Sequence, residues 1–140
     1  MMKVAVVYES TRGRTRAMAE AICEGASSAG AECVVIDAKE FSGFDGVCGI
    51  AIGSSTRMKR TLPMVKRILS ELPSLNEIAA GAFGSYGWSG EAPDEIATKL
   101  SEAGASLVEE NPIKAKDYPS DPILDQCRAL GVKLAEKCGK

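Results

Sequence analysis

Apolar runs alternate with amphipathic segments from one end of the chain to the other. Lys3 to Tyr8 is a short valine-rich run, and Arg14 to Ser28 then carries Met18, Ala21, Ile22, Cys23 and Ala26 at helical spacing. Glu32 to Ile36 predicts a second strand, Gly43 to Gly46 an irregular or weakly helical connection, and Gly46 to Ile52 a third strand. From Leu62 to Leu72 the residues Leu62, Val65, Ile68, Leu69 and Leu72 share one helical face, with Pro63 tolerated in the first turn. Ile78 to Gly84 predicts a fourth strand of small residues, and a helix from Glu91 to Ala103 follows, ended by Gly104. Ala105 to Glu109 predicts a fifth strand, and Asp121 to Lys137 a closing helix. Strands alternating with helices imply an α/β fold, a mostly parallel sheet covered on both faces and wound by right-handed crossovers.

Three connections differ from the rest in composition. Glu9 to Thr15, Gly53 to Thr61 and Gly81 to Ala92 follow the first, third and fourth predicted strands and are rich in Gly, Ser and Thr; the last also holds the only tryptophan. In the five-stranded doubly wound order 2-1-3-4-5 these strands lie side by side, and ligands bind beyond their carboxyl ends. The exits of strand two (Asp37, Ala38, Lys39) and of strand five (Asn111, Pro112) lack this composition.

The first loop, with Ser10, Thr11, Arg12, Gly13, Arg14 and Thr15, opens a helix whose free N–H groups attract an anion, and the hydroxyls of Ser10, Thr11 and Thr15 are placed to donate to phosphate. Neither G-x-x-x-x-G-K-[ST] nor G-x-G-x-x-G occurs, so nucleoside triphosphates and conventionally bound NAD are not expected. Ser54, Ser55, Thr56, Arg57 and Met58 would run along one edge of a flat ring. Ser85, Tyr86, Gly87, Trp88 and Gly90 would approach it from another side, Trp88 by stacking or edge packing. Tyr86 either faces the ring or packs on the scaffold. Together these features point to flavin mononucleotide (FMN).

Composition narrows the chemistry. The chain has 140 residues, read as a single domain spanning 1–140, with 45% apolar and 26% charged residues. No apolar run is long enough to span a bilayer and no leader pattern opens the sequence, so a cytoplasmic protein is expected. The five cysteines are odd in number and widely spaced, which suggests reduced thiols, most of them acting as small core hydrophobes. There is no histidine, which removes Ser-His-Asp and Cys-His catalysis and the usual zinc and non-haem iron sites; no metal ligand and no catalytic side chain is assigned. Glu91 and Asp94 read as partners of a helix dipole rather than as acid–base groups.

At these residues the sequence resembles the flavodoxin family, whose strand order is the one used above. STRGRT is similar to the pattern [ST]-x-T-G-x-T at Ser10, Thr11, Gly13 and Thr15, while GAFGSYGWSGEA is similar to the third loop of the flavodoxin-like domain of flavodiiron proteins. Asp125, Cys127, Leu130 and Gly131 on the last helix resemble the same domain. The resemblance implies noncovalent FMN, a flavodoxin-like doubly wound five-stranded parallel sheet, and electron transport. Arg12 departs from the family's usual Thr or His, and Ser55 stands where the subfamily often has proline, which implies a looser second loop. The histidines of a di-iron domain are missing from these residues, so oxygen or nitric oxide reduction by this chain alone is not expected.

Charge adds one more expectation. Arg12, Arg14, Arg16, Arg57, Lys59, Arg60, Lys66 and Arg67 lie in or beside the first two loops, although the net charge is −2. Such a rim favours the anionic reduced ring, hence a less negative midpoint potential than in acid-rimmed flavodoxins, and steers acidic partners such as a ferredoxin or rubredoxin. Nucleic acid is not expected, since no aromatic platform exists beyond Trp88. The competing readings are an FMN-dependent quinone or protoporphyrinogen-type oxidoreductase of the same fold and a flavin-free binding module.

Overall fold

The computed structural model describes residues 2–139. Its strands are β1 (Lys3–Glu9), β2 (Glu32–Asp37), β3 (Gly49–Ser54), β4 (Thr56–Arg57), β5 (Arg60–Thr61), β6 (Ala79–Tyr86), β7 (Ser106–Leu107) and β8 (Ile113–Lys116); its helices are α1 (Arg14–Ser28), α2 (Pro63–Ser70), α3 (Ala92–Glu102) and α4 (Asp121–Cys138). The main sheet is parallel in the order β2-β1-β3-β6-β7, with β8 also paired to β6. The expected order 2-1-3-4-5 is thus present, but its fifth position is filled twice. Ser106 and Leu107 pair with Ala79 and Ala80, and after the detour of residues 108–112 Ile113 to Lys116 pair with Phe83 to Tyr86. The expected fifth strand, Ala105 to Glu109, covered only the first of these pieces. The true carboxyl end of this position is Lys116, so the connection that leaves it begins at Asp117 rather than Asn111.

Alternation along the strands divides the interior in two. Val4, Val6 and Tyr8 of β1 and Ala51 of β3 face a core with α1 and α4, whereas Val7, Ile50 and Ile52 face a core with α2 and α3. The central strands are buried on both faces, which explains their unbroken apolar runs; the edge strand β2 is partly exposed and keeps Glu32 and Asp37. Helices α1 and α4 cross at two glycines. A Cβ on Gly25 would strike the carbonyl of Arg128, and one on Gly131 the carbonyl of Ile22, so only glycine permits this approach.

The cysteines require a correction. Cys23 and Cys33 form a disulfide between α1 and the start of β2, with Cα atoms 5.4 Å apart. Cys48 and Cys138 form another between the residue before β3 and the end of α4, at 5.3 Å. Cys127 is the free cysteine, and it is buried. The pairing was invisible because it depends on which helix covers which strand, and separations of 10 and 90 residues carry no local signature.

Candidate functional site

The segments that leave β1, β3 and β6 at their carboxyl ends close on one another. After β1, Gly13 turns the chain at φ 79° to begin α1, and its N–H donates to Ser10 Oγ at 2.9 Å. Space around the absent Cβ is open, so the backbone angle is what calls for glycine here. The helix that follows has no side-chain cap and no acid in its first turn. Its neighbours differ. Glu9 Oε1 accepts from Val65 N–H at 2.9 Å at the start of α2, Thr56 Oγ1 accepts from Ala92 N–H at 3.0 Å at α3, and Asp121 lies in the first turn of α4. The amino end of α1 is therefore the one left uncompensated, and an anion there would meet free N–H groups and the positive end of the dipole.

After β3 the chain makes a tied corner. Ser54 is fully buried; its Oγ donates to Ser55 O at 2.8 Å and accepts from Leu62 N–H at 3.0 Å. Ser55 N–H donates to Glu9 O at 3.1 Å. Proline at 55 could make neither this bond nor a hydroxyl contact, so the second loop is anchored by the departure that suggested looseness. β4 and β5 then form a hairpin turning at Met58 and Lys59.

Beneath the mouth, one hydroxyl from each loop meets in a buried cluster. Thr15 Oγ1 lies 2.8 Å from Ser85 Oγ and 3.0 Å from Ser55 Oγ, and the two serines are 3.4 Å apart. Thr15 has no exposed surface, and its hydroxyl joins the three loops.

Above this floor lies a cavity of about 400 Å³, within the range of small-molecule sites. Thr11, Arg12 and Arg14 line it from the first loop, Ser55, Thr56, Arg57 and Met58 from the second, and Ser85, Tyr86, Gly87 and Trp88 from the third. Five other expected residues are not among those that line it. Ser10 and Gly13 shape the turn, Thr15 and Ser54 are buried, and Gly90 gives room to the Tyr86 ring, which a Cβ there would approach to 3.0 Å. Trp88 is 91% exposed at the rim, an apolar face left in water.

Two contributors were missed. Asp117 also lines the cavity, with Arg14 Nη1 3.5 Å from its carboxylate and its N–H donating to Tyr86 O at 2.7 Å. Its signal was the alternation Ile113-Lys114-Ala115-Lys116, a short half-buried strand whose exit loop starts at Asp117. Glu9, read as the edge of a loop, holds α2 instead. The basic rim also needs revision, since Arg14, Arg16 and Arg67 are paired with Asp117, Glu20 and Glu71. Asp94, in the first turn of α3, bonds Lys114 Nζ at 2.6 Å.

The sequence matches the family model for flavodoxin over residues 6–131. It is 34% identical to putative diflavin flavoprotein A 4 of Nostoc sp. across 99% of this chain and 25% of that protein. To the anaerobic nitric oxide reductase flavorubredoxin of Escherichia coli it is 30% identical, over 96% of this chain and 30% of that one. The chain thus spans between a quarter and a third of the curated relatives it matches. Among solved structures, a flavodoxin from the domain Archaea superposes with a TM-score of 0.92 at 38% identity, covering 99% of this chain and 100% of its own. The flavodiiron protein from Giardia intestinalis gives 0.89 at 29%, with 97% and 36% covered.

Proposed function

The chain belongs to the flavodoxin family, an FMN-binding electron-transfer fold, and from that premise we propose that it holds FMN in the three-loop cavity and shuttles electrons between redox proteins. The uncompensated amino end of α1, opening beside a cavity lined by all three loops, is the observation that carries this reading. Thr11, Gly13 and the first N–H groups of α1 would take the phosphate, with Arg12 and Arg14 beside them and Ser10 fixing the turn. Thr56, Arg57 and Met58 would border one side of the ring, and Tyr86, Gly87 and Trp88 another. Bound FMN supplies the redox step itself. The protein's part is to fix the tail, to cover part of the ring with apolar surface, and to set the surrounding charge. Arg12 and Arg57 on the wall favour negative charge on a bound group, which supports a less negative midpoint potential, weakened by solvent screening.

Acidic redox proteins of the ferredoxin or rubredoxin kind are the partners we propose. Arg12, Arg57, Lys59, Arg60 and Lys66 have no carboxylate within ion-pair distance among the described residues, which supports an acidic counterpart. The flavorubredoxin relative supports the same class. No helix among the described residues is long and apolar enough to cross a membrane. Cytoplasmic residence fits the two disulfides where intracellular disulfides persist, as in hyperthermophiles.

The test is the visible spectrum of the purified protein titrated with FMN, read beside steady-state assays with NAD(P)H and a quinone. We expect one FMN per chain and no sustained turnover. A protein unable to take up FMN would sink the reading, and rapid quinone turnover would move it to the oxidoreductase alternative.

A further inference from the structure

The β4–β5 hairpin is built against its own turn preferences. Met58 and Lys59, the two residues at its tip, have φ of 50° and 65°. A two-residue turn of this kind favours Asn-Gly or Asp-Gly, because side chains with a Cβ resist the left-handed region. The pair that closes the turn sets Arg57 directly opposite Arg60, and like charges in that register repel. Lys59 adds a third cation between them.

Nothing among the described residues offsets this. Arg14, Arg16 and Arg67 each find a carboxylate, whereas Arg57, Lys59 and Arg60 find none. At the tip Met58 is 87% exposed, an apolar side chain ringed by unneutralised charge. Met58 also borders three concavities: one with Arg57, Arg60, Leu62 and Pro63, one with Lys59 and Trp88, and the three-loop cavity. The hairpin therefore stands as a partition at the mouth of the site. Strained backbone, opposed charges and an exposed apolar tip in one six-residue element are costs borne by the rest of the fold, of the kind that cluster at functional sites.

We propose that this hairpin is a docking prong for an acidic redox protein. Carboxylates of the partner would engage Arg57, Lys59 and Arg60, and Met58 would make the dry contact at the centre, the arrangement of apolar core and polar rim found in protein interfaces. A partner seated there lies against the cavity mouth on the α2 side, away from α1, where Arg14 and Arg16 are already neutralised. A protein fits better than a polyanion such as RNA, because the cations surround an apolar tip and the chain's net charge is −2. The redox character of the partner rests on the carrier reading above; the docking does not.

The experiment is surface plasmon resonance of the full chain against two acidic probes, a purified ferredoxin and a purified rubredoxin, across ionic strength, with an RNA oligonucleotide as the third analyte. The informative variant is Lys59→Gly/Arg60→Gln. It gives the turn a residue that tolerates its angles and removes the opposed charge, without touching a residue placed at the FMN cavity. We expect an unchanged or higher melting temperature, unchanged FMN uptake, association with the acidic proteins slower by about tenfold at low salt, and a shallower salt dependence. Unchanged association in this variant, no binding of either acidic probe by the wild type, tighter binding of RNA than of both proteins, or a clear fall in melting temperature would each overturn the proposal. A wild type that binds an acidic probe but takes up no FMN would leave the prong standing and remove the carrier reading.

Discussion

The two ends of the sheet solve opposite problems. At the amino ends of the strands the chain is fastened: Cys23–Cys33 ties α1 to β2, Cys48–Cys138 ties the entry of β3 to the end of α4, and α1 meets α4 at two glycines. At the carboxyl ends the same strands release loops held by a few hydroxyls, and Arg57, Lys59 and Arg60 there have no carboxylate within ion-pair distance among the described residues. Crosslinks are concentrated at one pole and unpaired charge at the other. The contrast is testable, because variants at the fastened end should change stability without changing FMN affinity, while loss of the buried hydroxyl junction at the open end should change both.

The largest effect belongs to the long disulfide. Cys48→Ser/Cys138→Ser releases a crosslink spanning 90 residues, for which chain entropy predicts a loss of about 4–5 kcal/mol. The shorter crosslink, over 10 residues, predicts about 3 kcal/mol. Urea unfolding followed by fluorescence reads the loss. FMN titration of the folded variant should give wild-type affinity, and a parallel fall in affinity would show that the two ends are not independent.

Thr15→Val is the corresponding change at the open end. It keeps the shape of the side chain and removes the hydroxyl at the junction of the three loops, leaving Ser55 and Ser85 with only their 3.4 Å contact. Losing buried hydrogen bonds of this kind costs about 1–3 kcal/mol. FMN binding should weaken by about tenfold although Thr15 has no surface facing the cavity. Amide hydrogen exchange in the ligand-free variant should quicken in residues 10–15, 53–61 and 84–90 together. Faster exchange in the first loop alone would mean that the hydroxyls pack side by side without coupling the loops.

These two tests mark what the sequence could and could not disclose. The order of the strands, the helices α1 and α4 to within a residue, and the meeting of three Gly/Ser/Thr loops were readable, because periodicity and loop composition are local signals and the doubly wound order then places them. Roles within those loops were less readable. Ser54, Thr15 and Thr56 look alike in sequence, yet Ser54 holds α2, Thr15 joins the loops and Thr56 caps α3 while reaching the cavity wall. Which hydroxyl points down and which faces the mouth depends on the pleat at the strand end, a one-residue matter that composition does not encode. Asp117 was hidden because Asn111 and Pro112 resemble the end of a strand, when they mark a detour between two halves of one sheet position. The disulfides were hidden for the reason given by their separations: the partners meet only after the helices have been laid on the sheet.

The smallest effect concerns the layer between the two poles. Cys127, on α4 against α1, is fully buried, and burial pushes its thiol from 9.0 up to about 12, with the nearby Arg128 charge opposing the shift. Below the unfolded value both states keep the proton and the thiol adds no pH dependence. As pH rises above 9.0 the unfolded chain releases the proton while the folded chain retains it, so stability falls until the folded thiol itself titrates near 12. The slope is at most about 1.4 kcal/mol per pH unit. Comparing urea unfolding of the wild type with Cys127→Ala at pH 8, 9 and 10 isolates this contribution, since the cavity left by alanine lowers stability by the same amount at each pH. Converging curves as pH rises would confirm a dry interface between α1 and α4. Parallel curves, or rapid alkylation of the native thiol, would mean that water reaches this layer and that the fastened end is less closed than its glycines and disulfides imply.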